Sequence, residues 1–298
     1  MEIKAVCFGE VLWDIFPDEE RIGGAPLNVA SRLSSWGINA EMISSIGNDK
    51  KGEEILAYLK GQKVFVQNIT TDPEYPTGKV QVTLSKSGSA TYEIAYPSAW
   101  DKIKLTDGML KSVEHANAFI FGSLVCRDEV SRDTLYTLLD SATYKVLDIN
   151  LRPPHYELDV LNNLMQKADF IKFNDEELFE IAEKLGSPYN SMEQNLEFIS
   201  EKTNTPSICI TKGSHGAVLL TEGTLYYNSG YKVKVKDTVG AGDSFLATLV
   251  AKLLQKENPQ KAIDTACAVG ALVASHKGAN PNLTEEQIKS FMFPLEGS

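Results

Sequence analysis

Short apolar, β-branched runs alternate with amphipathic stretches through most of this chain, and that rhythm constrains its fold more than any other feature. Segments 3–11, 40–46, 118–122, 145–150, 170–174 and 207–211 read as buried strands. Between them, segments 28–36, 52–60, 130–141, 158–167 and 176–185 carry apolar residues at three-to-four spacing. Nearly unbroken apolar strands linked through amphipathic helices are the pattern of a parallel sheet covered on both faces. The expected fold class is therefore α/β, a doubly wound, mostly parallel sheet flanked by helices.

Two stretches break the rhythm. Segments 77–85 and 90–95 alternate in period two and flank Lys86-Ser87-Gly88-Ser89, a hairpin signal. Segment 13–22 is short and polar at its centre. Together they suit a small β-sheet standing off the main one, either a lid or an ordinary antiparallel extension. After Gly216 come short strands at 218–221, 224–228 and 233–235, then helices near 242–256, 259–275 and 284–291. No internal repeat, low-complexity tract or long linker interrupts the chain. The expected organisation is one domain over 1–298, with the lid drawn from about 13–22 and 76–100.

Charge and cysteine usage narrow the function. Lys and Arg number 29 against 40 Asp and Glu, a net charge of −11, which argues against nucleic acid or an anionic membrane as the main partner. A phosphate ligand needs only a local cluster of donors and is not excluded. Cys7, Cys126, Cys209 and Cys267 are widely spaced, with no Cys-x-x-Cys pair, and read as buried small hydrophobes in a reducing compartment. His115, His155, His215 and His276 show no zinc spacing. The start of the chain lacks the look of a signal peptide, and the longest apolar run, 266–274, is roughly half a membrane span. A soluble, cytoplasmic protein is expected.

The sharpest local feature is Asp237-Thr238-Val239-Gly240-Ala241-Gly242-Asp243-Ser244-Phe245, followed at once by an amphipathic helix. Small residues entering a helix let a ligand approach the backbone, and the first-turn N–H groups with the helix dipole attract anions. A carboxylate in that same turn would repel phosphate. It makes chemical sense as a general base that takes a proton from an attacking hydroxyl while the amides hold a transferring phosphoryl group. The plainer account of Asp243 is a first-turn acid that complements the dipole.

The run from Asp237 to Asp243 resembles the C-terminal signature of the ribokinase-like, or PfkB, family of carbohydrate kinases. Gly23-Gly24-Ala25-Pro26-Leu27-Asn28-Val29-Ala30 resembles that family's N-terminal signature, and the spacing, element order and length agree. The resemblance spans essentially the whole chain. It implies ATP and Mg²⁺ as cofactors and phosphoryl transfer to a sugar, with Asp243 as base and Gly240, Ala241 and Gly242 forming the anion hole.

Other positions acquire roles by the same resemblance. Asp14 matches an acid that accepts sugar hydroxyls, as a carboxylate chelating a vicinal diol can. Gly24 and Asn28 match a backbone approach point and an amide gripping the sugar; a helix cap is the alternative for Asn28. Asn174-Asp175-Glu176-Glu177 resembles the Asn-x-x-Glu element that orders magnesium and phosphate, with Glu177 acting largely through water; an acidic helix start is the alternative. Thr211-Lys212-Gly213-Ser214-His215-Gly216 resembles the loop along the nucleotide, implying roles for Thr211, Lys212, Gly213 and Gly216, or else is a tight turn. Asp148-Ile149-Asn150-Leu151-Arg152 resembles the Asp-x-Asn-x-Arg run of several sugar and sugar-acid kinases. Arg152 there clamps a phosphate or substrate oxygen, or pairs with Asp148. Segment 275–281 resembles the adenine loop, with Asn280 facing the nucleotide. Carbonyl-rich positions Asp237, Val239, Val273, His276, Gly278 and Asn282 match a potassium site.

The Gly-Ala-Pro-x-Asn form of the first signature, with Tyr92-Glu93-Ile94 and Pro97-Ser98-Ala99-Trp100-Asp101, is most similar to fructokinases. Trp100 either stacks on a sugar face or anchors the lid. Ser123, without a carboxylate beside it, stands where ribose-selective members often place an acid. The expected activity is an ATP-dependent sugar kinase acting on fructose; a lid edge strand could pair two copies as a homodimer, though the sequence does not fix the oligomeric state. Kinases of ribose, a 2-keto-3-deoxy sugar acid or a nucleoside, and a non-catalytic sugar or nucleotide sensor, are the alternatives. No Gly-x-Gly-x-x-Gly follows the first strand and no Gly-x-x-x-x-Gly-Lys-Ser/Thr occurs, which disfavours dinucleotide oxidoreductases and P-loop proteins.

Overall fold

The computed structural model describes residues 2–84 and 90–294, so the expected hairpin tip at 86–89 lies outside the described residues. The chain divides into two compact units: Met1–Thr143 with Arg152–Tyr156, and Tyr144–Leu151 with Glu157–Ser298.

In the first unit the chain runs β1 (Lys4–Phe8), β2 (Leu12–Ile15), β3 (Glu20–Gly23), α1 (Ala25–Ser35), β4 (Asn39–Gly47), α2 (Lys50–Gly61), β5 (Phe65–Asp72), β6 (Gly78–Leu84), β7 (Ala90–Ile94), α3 (Asp107–Glu114), β8 (Ala118–Gly122) and α4 (Glu129–Ser141). Strands β8, β1, β4 and β5 pair in that order, all in parallel. Ala5, Val6, Cys7 and Phe8 of β1 are all fully buried, as an inner parallel strand covered on both faces requires. Helix α1 begins beside the backbone of Glu10. A Cβ on Gly24 would lie 2.4 Å from the Glu10 carbonyl oxygen, and φ there is +113°, so only glycine fits. Pro26 follows in the first turn, where its fixed φ suits a helix start.

The segments that broke the sequence rhythm form a second sheet, in the order β3, β2, β6, β7. Strand β2 runs parallel to β6, and the other two pairings are antiparallel. Leu12, Val80 and Val82 are buried together on it, with Phe16 and Ile94 packed against them.

The second unit runs β9 (Lys145–Asp148), α5 (Leu158–Lys167), β10 (Phe170–Asn174), α6 (Asp175–Lys184), α7 (Met192–Thr203), β11 (Ser207–Thr211), β12 (Ala217–Thr221), β13 (Thr224–Asn228), α8 (Ala241–Leu254), α9 (Pro259–Ala274) and α10 (Glu285–Met292). Strands β9, β10 and β11 are parallel neighbours, and β12 and β13 continue the order antiparallel. The architecture is α/β, mostly parallel, with helices flanking the strands and a smaller separate sheet.

The structure differs from the sequence reading in a few elements. The strand expected at 233–235 does not form; Val233 and Val235 line a cavity instead. Strand β5 was not expected because it is an edge strand with exposed positions and polar content, which hides an apolar pattern. Helices α3 and α7 also lay outside the expected set. All four cysteines are buried free thiols, as expected. Among the described residues no helix is long and apolar enough to cross a membrane.

Candidate active site

One face of the second unit's strands collects the polar groups. Side chains alternate along β10, so Lys172 and Asn174 point the same way. Parallel register sets Lys172 beside Asp148 of β9 and Cys209 of β11, and Asn174 beside Thr211. The Lys172 ammonium donates to Asp148 Oδ1 at 2.8 Å, with both side chains only 6% exposed. Asp148 therefore pairs with Lys172, and the Asp148–Arg152 ion pair weighed from the sequence is not the pairing found. Arg152 lies in an exposed stretch that groups with the first unit.

Asn174 caps α6. Its Oδ1 accepts from the Glu177 N–H at 2.8 Å, while Glu177 Oε2 accepts from the Asn174 N–H at 2.8 Å. This reciprocal box satisfies two first-turn amides at once. The other Glu177 oxygen accepts from the Leu151 N–H at 2.9 Å, which ties the Asp148–Arg152 run to the same carboxylate. Burial pushes the Glu177 carboxyl above its ordinary pKa, against the lowering effect of the Lys172 charge. Two backbone donors leave the carboxylate with lone pairs for water. Among the described residues no three His, Cys, Asp or Glu side chains come together to hold a metal ion. That donor set fits a magnesium ion held mainly by phosphate oxygens and water.

The Asp237–Asp243 signature enters α8 as the sequence suggests. Gly240 is the N-cap residue with φ 75° and ψ 0°, a left-handed conformation that glycine adopts without strain. Asp237 shapes the approach: Oδ1 accepts from the Val239 N–H and Oδ2 from the Gly278 N–H, each at 3.1 Å. The Ala241 N–H donates to the Thr238 carbonyl at 3.2 Å, the long end of an N–H···O bond. Asp243 lies in the first turn of α8.

A cavity of about 460 Å³ adjoins this turn. Thr211, Gly213, Gly216, Ala241 and Gly242 line it, together with Tyr231. The Thr211–Gly216 run contains a short 3₁₀ turn, closed by Lys212 N–H to Gly216 O at 2.8 Å. Lys212 thus contributes its backbone to the loop. Asn280 follows Ala279, the residue packed against Gly240.

Within the first unit, Asp14 stands on β2 of the small sheet, inside the segment expected to form it. Its Oδ2 is so close to Gly23 that a Cβ there would lie 2.5 Å away. Asn28 is 3% exposed and lies inside α1, so it is not a helix cap; the cap position is Gly24. Trp100 is fully buried. The Arg127 guanidinium sits 4.1 Å from its ring centroid, and Gly78 packs against its Nε1 edge. Trp100 is an anchor in this structure, with no ring face presented to a sugar. Arg127 in turn is held by Asp101 through bonds of 2.7 and 2.8 Å.

Lys172 was not singled out from the sequence. Its signal was there: a lysine inside the apolar run Phe170-Ile171-Lys172-Phe173, two residues before Asn174. Inner parallel strands rarely carry a charge without a partner.

Known proteins resemble this chain in sequence and in fold. The family model described as pfkB family carbohydrate kinase matches residues 4–286. A fructokinase of Salmonella typhimurium is 27% identical over 300 residues, covering 94% of this chain and 95% of that one. An ATP-dependent 6-phosphofructokinase of Thermoanaerobacterium thermosaccharolyticum is 28% identical over 284 residues, covering 92% and 85%. The crystal structure of a Vibrio cholerae fructokinase with fructose, ADP and calcium bound superposes with a TM-score of 0.83 at 25% identity, covering 97% and 99%.

Proposed function

The chain belongs to the pfkB family of carbohydrate kinases, and we propose that it transfers the γ-phosphoryl group of ATP to a primary hydroxyl of free fructose. The observation that carries this reading is the α8 entry: a left-handed Gly240 turn, a cavity lined by Gly242, and Asp243 in the first helical turn. Similarity to the Salmonella typhimurium and Vibrio cholerae fructokinases supports the choice of sugar.

In this reading ATP occupies the cavity, its phosphates running along the Thr211–Gly216 loop to the α8 turn. The amides of Gly240 and Gly242 receive the charge that develops on the transferring group. That of Ala241 joins them when a phosphoryl oxygen outcompetes its long bond to Thr238. Preorganised donors of this kind are each worth ~2.7–4 kcal/mol. Asp243 accepts the proton of the attacking hydroxyl, a contribution of about 10²- to 10⁴-fold. Asp14 and Asn28 grip the other sugar hydroxyls, with Gly24 allowing close approach. Arg152 steadies a phosphate oxygen. Asn174 and Glu177 would orient the water shell of a bound magnesium ion, which would supply positive charge against the phosphates. Backbone carbonyls around Asp237, Val239, Val273, His276, Gly278 and Asn282 would hold a potassium ion if one binds, supplying fixed positive charge near the turn. The small sheet serves as a lid that excludes water from the transfer.

The test is ADP release with ATP, magnesium and potassium across fructose, ribose, a 2-keto-3-deoxy sugar acid, adenosine and fructose 6-phosphate. The last is included because of the 6-phosphofructokinase relative. Turnover greatest on fructose, and lost in Asp243→Asn with nucleotide binding retained, is the expected result. Greater turnover on another compound overturns the choice of sugar. Wild-type-like turnover in the variant overturns the base assignment.

A further inference from the structure

Lys172 is a buried cation on β10, behind the turn read as the phosphoryl site. A Cβ placed on Gly242 would have one neighbour within 4 Å, the Lys172 Nζ at 3.8 Å. The ammonium therefore lies directly beneath the start of α8. Three carboxylates face it from three elements: Asp148 of β9, Glu177 of α6 and Asp243 of α8. Burial alone would lower the lysine pKa, but those carboxylates outweigh it and hold the pKa above its ordinary value, so the group is charged. Asp148 keeps its second oxygen, Oδ2, buried without a hydrogen-bond partner.

Stability does not account for this arrangement. A buried ion pair is seldom better than well-packed apolar side chains, because desolvation of both charges offsets their attraction. An orphaned carboxylate oxygen adds to the cost. A local violation of the apolar pattern that brings no evident gain in packing marks a functional position. The electrostatic need is specific. Three carboxylates at a turn that receives a polyphosphate would repel it, and in a low-dielectric interior that repulsion is strong.

We propose that Lys172 is a positioning residue for phosphoryl transfer: held by Asp148 beneath Gly242, its ammonium offsets the surrounding carboxylates and fixes the α8 turn and Asp243 in the arrangement the transferring group requires. The inference rests on reading the α8 turn as the phosphoryl site. Lys172 acts through Gly242 and Asp243 and exchanges no proton or bond with substrate.

The experiment compares full-length wild type with Lys172→Met and with the double variant Asp148→Asn/Lys172→Met. In the single variant an unpaired carboxylate stays buried, so its melting temperature falls. In the double variant both charges are gone and the melting temperature returns towards wild type. The expected result is a kcat about 10²-fold lower in both variants, with the sugar KM within about threefold of wild type. A merely structural ion pair would instead let kcat recover together with melting temperature in the double variant, and that recovery overturns the proposal. So does a sugar KM that rises with kcat unchanged. Wild type that turns over no sugar overturns the reading of the site itself, a failure visible before any variant is made. Failure of the Lys172 role shows only in the variants.

Discussion

Gly240 packs directly against Ala279: with φ at +75°, a Cβ on Gly240 would lie 2.4 Å from the Ala279 Cβ and 2.6 Å from its Cα. The loop that follows α9 therefore touches the α8 turn with no room for a side chain between them. Gly242 differs, since its added Cβ would meet only the far end of Lys172, at ordinary contact distance.

These two glycines should respond differently to alanine. Gly240→Ala forces a left-handed backbone and a clash, so melting temperature and ATP affinity both fall. Gly242→Ala sits in a helix, where alanine is favoured over glycine by roughly 0.5–1 kcal/mol. Its melting temperature should hold or rise while kcat drops, because the new methyl group sits against the Lys172 ammonium beneath the turn. Thermal melts beside steady-state kinetics check both; equal loss of stability in the two variants contradicts the contrast.

Trp100→Ala should behave as a core deletion. The ring is fully buried between Arg127 and Gly78, and removing such a side chain costs about 3–5 kcal/mol. Urea unfolding measures this directly. A small stability change accompanied by a large rise in sugar KM would restore the stacking role.

Asp14→Ala should separate the two ligands. Asp14 stands on the small sheet of the first unit, whereas the cavity residues all belong to the second. Fructose KM should rise by about 10-fold or more, as expected for loss of a hydrogen bond to a charged group, while ATP affinity measured by calorimetry stays unchanged. Weaker ATP binding would argue against a sugar-side role.

Acid sensitivity should trace partly to Asp49, the cap of α2. Its carboxylate accepts from the Gly52 N–H at 2.9 Å, the Thr77 N–H at 2.9 Å and the Thr77 hydroxyl at 2.7 Å. Burial opposes ionisation there, but these bonds prevail and hold the pKa below its ordinary value. A depressed carboxyl pKa contributes stability that is fully present above the unfolded-state value of about 3.9 and is lost as pH falls through the folded one. Asp49→Ala should therefore cost ~0.5–2 kcal/mol near neutrality, with the difference shrinking at about pH 3. Urea midpoints at the two pH values give the answer. A difference that persists unchanged in acid would show that the charge is not what Asp49 contributes.

Much of this molecule was legible from residues close in the chain. Strands such as Ala118–Gly122, Phe170–Asn174 and Ser207–Thr211 and the helix Leu158–Lys167 fall where apolar periodicity puts them, because their burial pattern is written in consecutive residues. The edge strand β5 was hidden for the converse reason: half its neighbours are solvent, so its residues need not be apolar. Segment 233–235 reads as a strand but lines the cavity, since β propensity without a partner ladder decides nothing.

The candidate site divides in the same way. The chain by itself determined the α8 entry and its glycines, the Asn174–Glu177 cap and the glycine loop after Thr211, because each is a local conformation with its own residue requirements. Only the tertiary structure decided that Asp148 takes Lys172 as its partner. It alone buries Trp100 against Arg127 and sets a charged ammonium beneath Gly242. Local conformation depends on neighbours along the backbone, whereas pairing and burial depend on residues brought together from distant positions, and no short stretch of sequence contains both partners.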